Sequence, residues 1–323
     1  MSTPRKHHYL PQFYLKRWAS PRGQLFQIEK DTTARVHKVS VKDAAAARDY
    51  HALDCPGVKD PNELEKRLSS LESENARTIS TILLHRSVLD EMRHDVAALV
   101  SVFRVRVPGM KRAVEAFLKQ SVKSVTKQMK RAGKLPELVM LENEHGITDE
   151  QLDVKVANQM VVAQMYSAGC HPESIAHYAR MEIGACLAPE GTSFVTGDQP
   201  VAVFLPFTDL PSPNDLPMLH RDVRISMPLS PKISLELTWA PQRAARVLST
   251  IEVAELNRRT VVMSEKYVFA ADDSQSTRAM VRENGNATAG FIGGVVDCGS
   301  SSFSFQRIIP VLLEEYYRVA HTT

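Results

Sequence analysis

The spacing of apolar residues changes twice along this chain. From Phe26 to Lys30 apolar and polar positions alternate, as in a half-buried strand, and Pro21-Arg22-Gly23 supplies a turn before it. Ala34 to Val41 partly alternates again, so the two runs predict a hairpin. From residue 61 the pattern becomes helical. Asp60 and Pro61 make a helix start, and Leu64, Leu68, Leu71, Ile79 and Leu83 share one face. A second helix is predicted over Leu89–Arg106, with Val96, Leu99, Val100 and Phe103 on its buried stripe. Pro108-Gly109 breaks it. Met110–Arg131 reads as a basic amphipathic helix that ends at Gly133-Lys134-Leu135-Pro136. Further helices are expected from Thr148 to about Gly169 and from His171 to Leu187.

After Pro189-Glu190-Gly191 the alternation returns. Strands are predicted at Ser193–Thr196, Val201–Leu205, Asp222–Met227 and Lys232–Thr238. The last two flank Pro228-Leu229-Ser230-Pro231, a corner that two prolines stiffen. A helix around Ile251–Met263 leads into a strand at Lys266–Ala270, and 272–302 reads as a short helix plus loops. Strand and helix blocks are segregated, which predicts an α+β fold. A central helical block packs with a mainly antiparallel C-terminal sheet and a small N-terminal hairpin. The expectation is one domain over 1–323. Within it lie an arm and hairpin (1–60), a helical block (61–187) and a sheet-containing part (188–323).

Composition narrows the class without naming a reaction. Of 323 residues, 43% are hydrophobic and 24% charged, which excludes disorder along the whole length. Lys plus Arg is 40 against 37 Asp plus Glu, an excess too small to argue nucleic-acid or membrane binding from bulk charge. No apolar run is long enough for a membrane span. The basic start, Met1 to Tyr9, has no apolar stretch of a secretory signal, so a cytoplasmic protein is expected. Cys55, Cys170, Cys186 and Cys298 form no CxxC pair and read as free thiols. Phosphate-loop, dinucleotide, zinc-protease and serine-hydrolase fingerprints are absent.

Two segments concentrate candidate chemistry. His7-His8-Tyr9-Leu10-Pro11-Gln12-Phe13-Tyr14-Leu15-Lys16-Arg17-Trp18 packs histidines, aromatics and cations together. It reads either as an arm pinned by aromatic burial, with Tyr14 and Trp18 on one face, or as the source of an acid–base imidazole. Gly197-Asp198-Gln199-Pro200 puts a carboxylate in a turn between apolar strands. That Asp either bonds nearby amides or serves a site. Two metal groupings are weaker: Cys170, His171, Glu173, His177 and Glu182, whose spacing is unlike that of zinc sites, and Glu72 and Glu74 with Asp198 for Mg²⁺. The basic helix reads as a solvated face or as a guide for a nucleic-acid backbone.

The segments HHYLPQFYLKRWA, FRVRVP, TGDQPV, PLSPKISLEL and ELNRRTVVMSEKYVFA, in this order, resemble the bacterial domain-of-unknown-function family 4238. The resemblance covers His7 to Ala270 and points to His8, Gln12, Arg106, Asp198, Pro228 and Asn257. It implies no reaction. Two departures stand out: Arg106-Val107-Pro108 where the family has R-T-P, and Gly197-Asp198-Gln199-Pro200 where it has S-D-N-P. The longer amide argues against a direct role for Gln199. The site expected from these residues is a phosphodiester-cleaving one, acting on RNA or DNA in a bacterial conflict or phage-defence setting. His8 would move a proton, Asp198 would orient it or hold a metal, Arg106 would clamp a phosphate, and Gln12 and Asn257 would position the substrate. The alternatives are a non-catalytic sensor of a nucleotide or phage component, and an interaction scaffold. No cofactor is specified, and the expected partner is a nucleic acid or nucleotide rather than a membrane.

Overall fold

The structure, a computed structural model, describes residues 6–52, 63–134, 139–140, 146–147, 154–206, 218, 220–297 and 302–312. The chain opens with β1 (Lys6–His8), α1 (Gln12–Leu15), a 3-10 turn (Lys16–Trp18), β2 (Gln24–Glu29), β3 (Val36–Ser40) and β4 (Ala46–Arg48). The helical block follows as α2 (Glu63–His85), α3 (Arg93–Val105) and α4 (Pro108–Arg131). After a short ribbon of β5 (Val139–Met140) and β6 (Gly146–Ile147) come α5 (Asn158–Cys170) and α6 (Pro172–Ala179). Then run β7 (Glu182–Leu187), β8 (Thr196–Gly197), β9 (Ala202–Phe204), β10 (Arg224–Ser230), β11 (Ile233–Thr238) and β12 (Ala245–Val247). The rest is α7 (Thr250–Met263), β13 (Tyr267–Ala270), α8 (Gln275–Glu283), β14 (Gly290–Asp297) and β15 (Ser302–Ile309).

The class is α+β. One sheet has the order β12-β7-β11-β10-β9 and a second β3-β2-β13-β8. All pairs in both are antiparallel except β12 with β7. The predicted hairpin β2–β3 forms, and β2 also pairs with β13, with Val268 opposite Ile28. The N-terminal arm is thereby built into the C-terminal half. Aromatic burial pins it further: the Trp18 indole donates to the Phe194 carbonyl (3.0 Å), and the Tyr14 hydroxyl donates to the Pro228 carbonyl (2.6 Å). Tyr14 and Trp18 share a face, with ring centroids 5.0 Å apart. In α3 the predicted stripe Val96, Leu99, Val100 and Phe103 is fully buried and joins α5 and α6 to the main core.

Several elements differ from the sequence expectation, each for a physical reason. The helix expected over His171–Leu187 stops at Ala179, and Glu182–Leu187 is strand β7. Strand β7 lies between β11 and β12 and is buried from Ile183 on, so its apolar run does not alternate and mimics a buried helix. The start expected at Thr148 lies outside the described residues, and α5 begins at Asn158. Pro108 and Gly109 are the first turn of α4, where proline's fixed φ suits the first helical position. The Pro228 corner lies inside β10, opposite Ser234 and beyond the Arg224–Ser226 stretch that bonds β9, where a missing N–H is tolerated. The expected loops of 272–302 contain strand β14, which pairs with β15 beyond them.

Candidate ligand-binding cleft

Most of the residues singled out in the sequence are engaged with partners of their own. Arg106, at the C-cap of α3, is 1% exposed. Its Nε donates to the Tyr9 carbonyl (2.7 Å), and its Nη2 donates to the His8 carbonyl (3.2 Å) and to Glu72 (2.8 Å). The guanidinium thus clamps the N-terminal strand. The His8 carbonyl accepts from Arg106, and the half-buried His8 ring has Nε2 3.1 Å from the Lys42 carbonyl. Alternation along β1 turns His7 inward instead: its Nδ1 accepts from the His51 amide (2.9 Å), and the two rings stack. Gln12 opens α1 and is half-buried. Asn257 braces a turn, accepting from the Val195 amide (3.0 Å) and donating to the Ser193 carbonyl (2.8 Å). The metal groupings separate. Glu72 pairs with Arg106, whereas Glu74 lines a groove between α2 and α3. His171 caps α6, and His177 lies 3.0 Å from the Met218 carbonyl. Among the described residues no three His, Cys, Asp or Glu side chains are placed to share a metal ion.

Asp198 has a definite task. Its buried carboxylate accepts from the amides of Glu265 (2.8 Å), Lys266 (2.8 Å) and Tyr267 (3.0 Å). Burial pushes its carboxyl up to about 6, the three amides pull it back, and the Glu265 charge adds to the rise. The chain after α7 is therefore held from one side by Asp198. From the other side Lys30 caps the end of α7, donating to the carbonyls of Val262 (2.8 Å) and Ser264 (2.5 Å), a favourable place for a cation. Burial lowers the Lys30 amine to about 8, with Asp198 and Glu265 opposing the drop.

This doubly held turn aims Glu265 at the start of α4. Glu265 forms an ion pair with Arg112, one turn into that helix. Glycine at 109 lets these side chains approach the helix: a Cβ there would lie 2.5 Å from Glu265 Oε1 and 3.0 Å from both amide atoms of Gln199, so they would have to shift. The start of α4 has no side-chain cap from Val107, and the amides of Gly109 and Met110 have no acceptor within the helix. A cleft of about 480 Å³ opens here, lined by Lys30, Arg112, Ser264, Glu265, Lys266 and the 285–289 segment. Three cations and one carboxylate set its charge. Tyr9 lies close enough to feel it, its phenol raised by burial and then by the charges of Asp198, Tyr267 and Glu265.

Behind Glu265 stands Gln199. It is 1% exposed, and among the described residues neither its Oε1 nor its Nε2 has a hydrogen-bond partner. Such a group costs roughly 1–3 kcal/mol when left dry and unpaired. The sequence reading chose Asp198 and argued against its neighbour. Residue type alone gives no prominence to Lys30, Gly109 or Glu265, and marks Arg112 only as part of the basic helix. The available signal was that FRVRVP, TGDQPV and the SEKY end of the later stretch run into one place, at Gly109, Gln199 and Glu265.

Comparison with curated proteins and with solved structures returned no match. A family model does match, over residues 6–274, which takes in the arm, the helical block, both main sheets and every cleft residue except those of the 285–289 segment. The chain therefore belongs to the family described as protein of unknown function DUF4238.

Proposed function

We propose that this protein binds a phosphate-bearing, nucleotide-class ligand in the cleft at the start of α4, and that it is a sensor or binding protein. The observation that carries the reading is the convergence of Lys30, Arg112 and Lys266 with the uncapped end of a 24-residue helix around one carboxylate. Cations and helix amides together favour an anion. The neutral amide of Gln199 adds a donor and an acceptor suited to a polar neighbour. The reading keeps the bacterial cytoplasm and a phage-defence setting as its context. Among the described residues no helix is long and apolar enough to cross a membrane.

Phosphodiester cleavage is the rival. It needs an acid–base group free at the ligand, whereas the His8 ring lies against the Lys42 carbonyl, Asp198 and Asn257 are engaged with backbone groups, and Arg106 with carbonyls and Glu72. One experiment separates the two. The protein is incubated with a panel of nucleotides and short RNA and DNA, and both melting temperature and ligand mass are followed. A raised melting temperature with unchanged mass is expected. Shortened oligonucleotides would establish a nuclease, and no response to any nucleotide would overturn the binding reading.

A further inference from the structure

We infer that the place held by the Glu265 carboxylate at the start of α4 is the subsite for a terminal phosphate. The ligand is then a phosphomonoester such as a nucleoside 5′-monophosphate, and Glu265 is the group it displaces. The inference rests on the nucleotide-binding reading above and sharpens it.

Donors outnumber the acceptors that face them. Around the first turn of α4 stand the Arg112 guanidinium, the amides of Gly109 and Met110, and the Gln199 carboxamide. Glu265 brings only two oxygens. One pairs with Arg112, and the other lies against Gly109. Among the described residues Gln199 has both amide atoms unpaired, although they are 3.0 Å from the same point beside Gly109. A phosphomonoester carries three terminal oxygens in a tetrahedron. One can take Arg112, one the helix amides and one the Gln199 Nε2, so that set satisfies the donors where a flat carboxylate does not.

The same count disfavours an internal phosphodiester, which offers only two non-bridging oxygens. Gly109, Gly290 and Gln199 are all buried, and both glycines adjoin the Gln199 amide. The ester substituent would lie in the open cleft that Glu265 shares with Lys30 and Lys266.

The test is calorimetric titration of wild type and Glu265→Gln with two ligands. These are adenosine 5′-monophosphate and the dinucleoside adenylyl-adenosine, which has an internal diester and no terminal phosphate. Removing the built-in anion should tighten monophosphate binding about tenfold and leave the dinucleoside unchanged. Equal gains for both ligands, or no gain for the monophosphate, would overturn the subsite while leaving nucleotide binding intact. Absence of binding by either protein would overturn the nucleotide reading as well. Should Glu265→Gln fail to fold, Glu265→Asp carries the comparison, because it keeps the charge and withdraws it from α4 by one methylene.

Discussion

Arg106 and Gln199 are equally buried, at 1% exposure each, and they make opposite use of it. Arg106 has spent its donors: two backbone carbonyls and a carboxylate accept from it, and its ring neighbour Phe103 lies under the guanidinium. Burial works against its charge, but Tyr166, Glu72 and Tyr50 raise its pKa in spite of that. Gln199 has spent nothing, because neither of its amide atoms is bonded among the described residues. A buried cation tied on several sides is part of the scaffold. A buried amide that the fold leaves unpaired, beside a charged cleft, is available to something else. Chemical type alone would have ranked the two the other way round.

Substitution is the direct way to break that contrast. Arg106→Ala should have the largest effect, destabilising the chain by about 3 kcal/mol, because it leaves the His8 and Tyr9 carbonyls and Glu72 without their donor. Urea denaturation measures it, and a loss under 1 kcal/mol would remove the scaffold role. Asp198→Asn comes next, at about 2 kcal/mol, because its amide nitrogen must face a backbone N–H that now donates to a carboxylate oxygen. Gln199→Leu should behave in the opposite way. It removes an unpaired polar group, so stability should hold or rise by up to about 1 kcal/mol while ligand binding is lost.

The smallest effect is on pH dependence. Lys30 has its amine lowered from 10.5 to about 8 by burial. Between those values the unfolded chain holds a proton that the folded chain has released, so this group makes folding more favourable as pH rises through that window. Anion affinity should move the other way, falling as pH passes about 8 and the cleft loses a positive charge. Lys30→Met should flatten both trends in paired melting and binding series. Unchanged slopes in that variant would assign them to other groups.

How much of this was legible in the sequence depended on how each segment is buried. The α3 stripe, the β2–β3 hairpin and the shared face of Tyr14 and Trp18 have a one-sided pattern or a fixed spacing, and β10 and β11, though buried almost throughout, are marked by the proline corner between them. Strand β7 is covered on both sides and has no such signature. The hairpin β14–β15 begins at Gly290 and carries Gly293 and Gly294, in a segment whose composition reads as loop. For the site, the chosen segments were near the cleft while the chosen residues were not its lining: Asp198 stands next to Gln199, and Arg106 three residues before Gly109. A sequence records that a side chain is polar. It does not record whether backbone groups have already used it, as those of residues 265–267 use Asp198 and those of residues 193 and 195 use Asn257.

The account stands most directly on titration of wild type and Gln199→Leu with a nucleoside 5′-monophosphate, with a thermal melt of each protein alongside. Saturable binding by wild type, lost in a variant that melts no lower, is the predicted result. Equal affinity in the two proteins would contradict it, and so would a variant whose melting temperature collapses, since the amide would then be serving the fold after all.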